Sequence, residues 1–125
     1  PLTTSDKLMQ AAQVRADEMA ASGAYSHTRP DGRKYTTVTD CKYVGENIHR
    51  IADWALQGKP VSEVAMWSWN HSAGHQNNLL DKSYAEIGVG LARGVNEDGY
   101  ECWYCVQLFL WNGYSVSWVD APAAK

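Results

Sequence analysis

Apolar positions along the chain fall into two regimes, a helical period in the first part and a period of two from Ile87 onward. In "SDKLMQAAQVRADEMAASG", Leu8, Ala11, Ala12, Ala16, Met19 and Ala20 recur at helical spacing, interrupted on that face only by Arg15. The pattern predicts a helix over about residues 4–22, with Thr3 and Thr4 as caps, Asp6 in its first turn and Gly23 as its stop. An alanine stripe of this kind implies close approach to the surface it covers. Residues 24–45, rich in Thr, Gly, Asp and Tyr, hold no sustained period and read as a long ordered loop.

Two further helices are predicted. "GENIHRIADWALQG" sets Ile48, Ile51, Ala52 and Ala55 on one helical face, with Glu46 at the helix start, where the dipole favours a carboxylate. "KPVSEVAMWSWNHS" repeats the pattern through Val61, Val64, Ala65 and Trp69, with Pro60 in the first turn. After "AGHQNNLLDKSY" the period changes: Ile87, Val89 and Leu91 alternate with small residues, "NEDG" supplies turn chemistry, and "YECWYCVQLFLW" continues as a second strand. That strand is apolar on both parities, Tyr104, Val106 and Leu108 against Trp103, Cys105 and Phe109, so layers cover both its faces. Helices followed by a hairpin covered on both sides predict an α+β domain, a three-layer α/β/α sandwich around a small antiparallel sheet.

The 125 residues fit one domain; 45% are hydrophobic and 20% charged, and no apolar run is long enough to span a bilayer. A net charge of −3 without a Lys/Arg cluster argues against nucleic acid or an anionic membrane as partner. Six Trp and seven Tyr against one Phe give aromatic surface with polar tips, suited to pocket walls and half-wet faces. Cys41, Cys102 and Cys105 allow at most one internal disulfide. Cys102 and Cys105 point to opposite faces of a strand, so Cys41 is the better partner for one of them. Half a zinc site, a redox pair and inert buried thiols stand as alternatives.

Four residues mark the edges of these elements: His27 in the loop, Glu46, His75 in "SAGHQNNLL" and Glu86 before the first hairpin strand. Two imidazoles and two carboxylates suit a divalent cation such as zinc, with His27 and His75 as its ligands, or an acid and base pair acting on water. Satisfied loop and capping residues are the competing reading. His71 and His75 stand at a metal-like interval, but Ser72, Ala73 and Gly74 between them read as a helix ending, and no HExxH is present. His49 reads as solvated. Phosphate-loop and GxSxG motifs are absent, and nothing local supports Cys41 as a nucleophile.

Five motifs in register, "SHTRPDG", "GENI", "WNHSAGHQNNLL", "YAEIGVG" and "CVQLF", resemble the CAP superfamily, which holds cysteine-rich secretory proteins, antigen five and pathogenesis-related class 1 proteins. The likeness covers about residues 2–111 and is strongest to the bacterial branch of secreted SCP-domain proteins. It implies an α/β/α sandwich, an extracellular or cell-surface location and a structural disulfide. It further implies a helix before the segment matching "PLTTSDKL", so the chain reads as a single domain trimmed at its N-terminus.

His27 and Glu46 fall on the first His and first Glu of the family's cleft. Ser72 and Ser83 fall on the second pair of its eukaryotic members, whereas His75 and Glu86 match bacterial members. Pro30, Asp31 and Gly32 form a turn that aims His27 back at Glu46, which predicts a contact between the two as the core of a polar cleft. The expectation is a module that binds a small ligand, lipid, glycan or protein partner. The alternative is a metal-assisted hydrolase, with Glu46 or Glu86 polarising water.

Overall fold

The computed structural model describes residues 2–121. Strand β1 (Thr3–Thr4) leads into helix α1 (Asp6–Ser22), and strand β2 (Val44–Ala52) follows a long loop. Helices α2 (Val61–Asn70) and α3 (Ala73–Leu80) precede the hairpin strands β3 (Tyr84–Val95) and β4 (Glu101–Trp111). The strands form one sheet in the order β1-β3-β4-β2, parallel between β1 and β3 and antiparallel elsewhere. Helix α1 covers one face of the sheet, and α2 and α3 lie against the other at β2. The architecture is the expected α+β sandwich.

Helix α1 begins one residue later than the caps proposed from the sequence: Ser5, not Thr3 or Thr4, accepts the Leu8 N–H on its Oγ. Gly23 ends it in the left-handed conformation (φ 73°), its N–H donating 2.8 Å to the Met19 carbonyl. The alanine stripe is buried from Ala11 to Ala16 and half-buried at Ala20, and the sheet answers it with glycines. A Cβ on Gly88 or Gly90 would stand 2.1 or 2.4 Å from the α1 backbone at Leu8 and Ala12. Side chains at these β3 positions are excluded because helix backbone rests directly on strand backbone. The even residues of β4, from Cys102 to Leu110, join Val44 and Ile48 in the α1 core, while Cys105 joins Ile51, Ala65 and Trp69 beneath α2.

Three expectations are corrected. The segment "GENIHRIA" is strand, not helix, and only Asp53–Leu56 after it forms a short 3-10 turn. Pairing with β4 over nine residues overrides a helical spacing of Ile48, Ile51 and Ala52 that arises by coincidence. Ser72–Gly74, read as a helix ending, do follow the end of α2 at Asn70 but also open a helix, α3, that was not expected. No α3 residue is buried, so this helix leaves no apolar stripe to detect.

The third correction is the disulfide: Cys41, Cys102 and Cys105 are all buried free thiols. Val44 pairs with Leu110, which places Cys41 beyond one end of β4, whereas Cys102 pairs with Ala52 near its other end. Eight residues of strand separate Leu110 from Cys102, about 27 Å at roughly 3.4 Å per residue, far beyond disulfide reach. Cys105 faces the opposite layer. Burial pushes its thiol up to about 12, so it is inert at neutral pH.

The backbone contact between α1 and β3 predicts contrasting outcomes at two glycines. Gly90→Ala lowers stability by about 1–3 kcal/mol or more through overpacking. Gly74→Ala, in helix α3 with nothing within 4 Å of the new Cβ, is neutral or stabilises by up to about 1 kcal/mol. Urea unfolding measures both, and a tolerated Gly90→Ala contradicts the packing described.

Candidate functional site

The site is built at the outer edge of β2, from the loop after α1 on one side and α3 on the other. In the loop, Pro30 to Gly32 form a tight turn. Gly32, at φ 94°, donates to the Arg29 carbonyl, Arg29 N–H donates to Arg33 O, and Tyr35 N–H returns to His27 O at 3.0 Å. Asp31 braces the turn by accepting from the Arg33 N–H and guanidinium. The result is a small closed loop that holds His27 beside β2.

His27 Nδ1 stands 2.8 Å from Glu46 Oε1, the contact expected from the turn. Glu46 reaches it from within a strand rather than from a helix start. Its side chain is fully buried, and so is that of Arg15, whose Nε and Nη2 hold the two Glu46 oxygens at 2.7 and 3.1 Å. Arg15 Nη2 also donates 2.6 Å to the Ser26 carbonyl, next to His27. One guanidinium thus grips both the carboxylate and the loop that meets it. Burial works against the Arg15 charge, but Glu46 and Glu18 outweigh it and hold the group above its ordinary value.

From Arg15 a chain of alternating charges runs outward. Glu18 accepts from Arg15 Nη1 and from Arg29, Arg29 donates to Asp120, and Asp120 accepts from Arg33 as well. Arg29 is nearly as buried as Arg15, at 3% exposure. An open groove of about 910 Å³ runs between α1 and this turn, lined by Asp17, Glu18, Arg29, Arg33 and Asp120 among others. Its arginines are committed to the carboxylates beside them.

On the other side, α3 is latched to β2 by amides. Asn47 Nδ2 donates to the His75 carbonyl at 3.1 Å and to Gln107 Oε1, and Asn78 Nδ2 donates to Asn47 Oδ1 and the Glu46 carbonyl. His27 and His75 therefore flank the same two residues of β2. Burial first, and then the His27 imidazole, hold His75 below the ordinary value of about 6.5. Burial and His75 do the same to His49, which is half-buried on β2 rather than solvated. Tyr35 completes the surroundings, its ring 5.9 Å from that of His27 and its hydroxyl donating to Val44 O.

Glu86 is not part of this arrangement. It lies on β3 opposite Leu110, with all of β4 between it and Glu46, a separation of roughly 10 Å sideways at ~4.8 Å per strand. His71 is engaged elsewhere, stacked on Trp67 at 3.8 Å, and the break between α2 and α3 separates it from His75. Among the described residues, no group of three His, Cys, Asp or Glu side chains is placed to hold a metal ion. The participants missed from the sequence are Arg15, Glu18, Asn47 and Asn78. Arg15 gave a signal, being the one charge on an otherwise apolar helix face.

A mixed α+β sandwich with a buried Arg–Glu pair orienting a histidine at one sheet edge is the class this geometry defines. Residues 1–109 match the sequence model of the CAP family, the Cysteine-rich secretory protein family, and the chain belongs to it. It is 26% identical over 95 residues to the uncharacterized protein YkwD of Bacillus subtilis (strain 168), covering 72% of this chain and 34% of YkwD. The fold is similar to the crystal structure of an extracellular protein containing a SCP domain from Bacillus anthracis str. Ames. That match has a TM-score of 0.63 at 21% identity and covers 89% of this chain and 34% of the other. An outer surface protein of Borrelia burgdorferi matches with a TM-score of 0.57 at 18% identity, over 87% of this chain and 76% of its own. The chain spans about a third of the length of YkwD and of the Bacillus anthracis protein.

Two outcomes follow from this geometry. Arg15→Met leaves the Glu46 charge buried and unpaired and costs about 3–5 kcal/mol, whereas Arg15→Met with Glu46→Leu costs less than the single change; additive losses on urea unfolding contradict this. Lowered imidazole values also mean that the fold favours neutral His75 and His49. Their contribution is intact above about pH 6.5 and is lost as the pH falls through their folded-state values. NMR titration of both rings checks this, and midpoints above that of a free imidazole contradict it.

Proposed function

We propose that the domain is a non-enzymatic binding module that works outside the cell, its ligand held in the polar cleft between His27 and α3. The observation that carries this reading is that the Glu46 carboxylate is buried and paired with Arg15. Both its oxygens accept from Arg15, and Oε1 also meets His27. A carboxylate paired with a guanidinium and closed off from solvent is poorly placed to take a proton from water, so it orients His27 instead of serving as a base. The other candidate base, Glu86, lies two strands away. His27 is left with an exposed ring face suited to contact rather than to chemistry.

The hydrolase alternative needs a metal with at least three ligands beside a water, and His27 with His75 supplies two. An extracellular setting accords with the family description and with relatives described as extracellular or outer surface proteins. No helix among the described residues is long and apolar enough to cross a membrane.

The test combines turnover and mapping. Fluorogenic peptide and ester substrates, with and without added zinc, give no turnover that depends on His27. In an NMR fragment screen, the amides of residues 26–28 and 75–78 shift together. Hydrolysis abolished by His27→Ala overturns the reading.

A further inference from the structure

We infer that the ligand of this cleft is a neutral, hydroxyl-rich molecule, a glycan, that donates a hydrogen bond to His27 Nε2. This rests on the binding-module reading and assigns that site a ligand chemistry. The first ground is the tautomer. A carboxylate that already accepts two guanidinium N–H groups can only accept again, so the His27 proton sits on Nδ1, facing Glu46 Oε1 at 2.8 Å. In the neutral ring Nε2 is then an acceptor, carried on a side chain that is 56% exposed. What pairs with it must bring its own proton, as a hydroxyl or amide does.

The second ground is charge. Anions are recognised by unspent cations, and the arginines around His27 are spent. Arg15 is held by Glu46 and Glu18, Arg29 by Glu18 and Asp120, and Arg33 by Asp31 and Asp120. An anionic headgroup or phosphate arriving at a neutral His27 meets the Nε2 lone pair and no unspent arginine. His75, near enough to feel the His27 charge, is an imidazole whose charged form burial disfavours.

The third ground is the ring of Tyr35, half-buried and tilted 59° against that of His27. Burial and the nearby Glu46 push its phenol up, so it stays protonated, with its hydroxyl committed to Val44 O. The remaining ring surface is apolar. A hydroxyl-accepting nitrogen beside an aromatic ring matches a sugar, which offers hydroxyls at its rim and C–H groups on its faces.

A glycan array carrying neutral and acidic oligosaccharides tests this, together with phosphatidylglycerol and phosphatidylcholine vesicles and a zinc titration. The strongest array ligand is then followed on the His27 and His75 ring signals by NMR. Neutral oligosaccharides are expected to bind and to shift both rings. His27→Ala should weaken binding about tenfold, the scale of one hydrogen bond, and His27→Gln, which keeps a polar acceptor in reach, should weaken it less. Retention of acidic glycans alone, or of none, overturns the assignment. If vesicles or zinc instead move the His27 signals, the glycan falls while the cleft stands as a binding site. If nothing in the panel moves either ring, both readings fall.

Discussion

The guanidinium of Arg15 closed on the carboxylate of Glu46 is the contact on which the rest of the molecule's polar architecture depends. Both side chains are fully removed from water, so each charge needs the other: an unpartnered ion at this depth would cost several kcal/mol. The pair ties α1 to β2 across the core, and the same guanidinium takes the Ser26 carbonyl and thereby fixes where the loop begins. His27 is aimed by this arrangement rather than by its own packing. Replacing the pair with apolar residues can leave the fold standing, but nothing would then orient the imidazole.

A second constraint comes from the sheet. With β2 at one edge, its outward carbonyls need donors. Tyr35 serves Val44 O, Asn78 serves Glu46 O, and both Tyr25 and Trp69 serve Ile48 O. At the far edge, Gln13 pairs with both the N–H and the carbonyl of Leu91. These side chains close the edges against further strand pairing and bring the loop and α3 together over β2. The nearness of His27 and α3 along β2 is therefore a by-product of covering an edge strand. Because α3 is attached through amides and has no fully buried residue, it is less firmly held than the loop that carries His27.

Elements that bury a continuous apolar stripe were legible in the sequence: α1, α2 and the hairpin all show their period because packing alone selects their inward residues. Strand β2 hides its period of two because its inward positions include Glu46 and Asn47, each held in a buried polar network. Helix α3 shows no period because it faces the sheet with Asn78 and a main-chain carbonyl. The His27–Glu46 contact was within reach because the turn chemistry of Pro30 to Gly32 is local. Its support was not, since Arg15 and Glu46 are 31 positions apart. The cysteines misled for a related reason: strand parity separates Cys102 from Cys105, but only the register shows that Cys41 sits at the wrong end of β4.

The central claim, that a buried ion pair sets the orientation and tautomer of His27, is tested most directly by imidazole nitrogen NMR. Long-range proton–nitrogen spectra at a pH where the ring is neutral should show His27 protonated on Nδ1, with a bare Nε2, in the native protein. The same spectra of Arg15→Met with Glu46→Leu should show the two tautomers averaged. A native ring protonated on Nε2, or one already averaging between forms, would contradict the account.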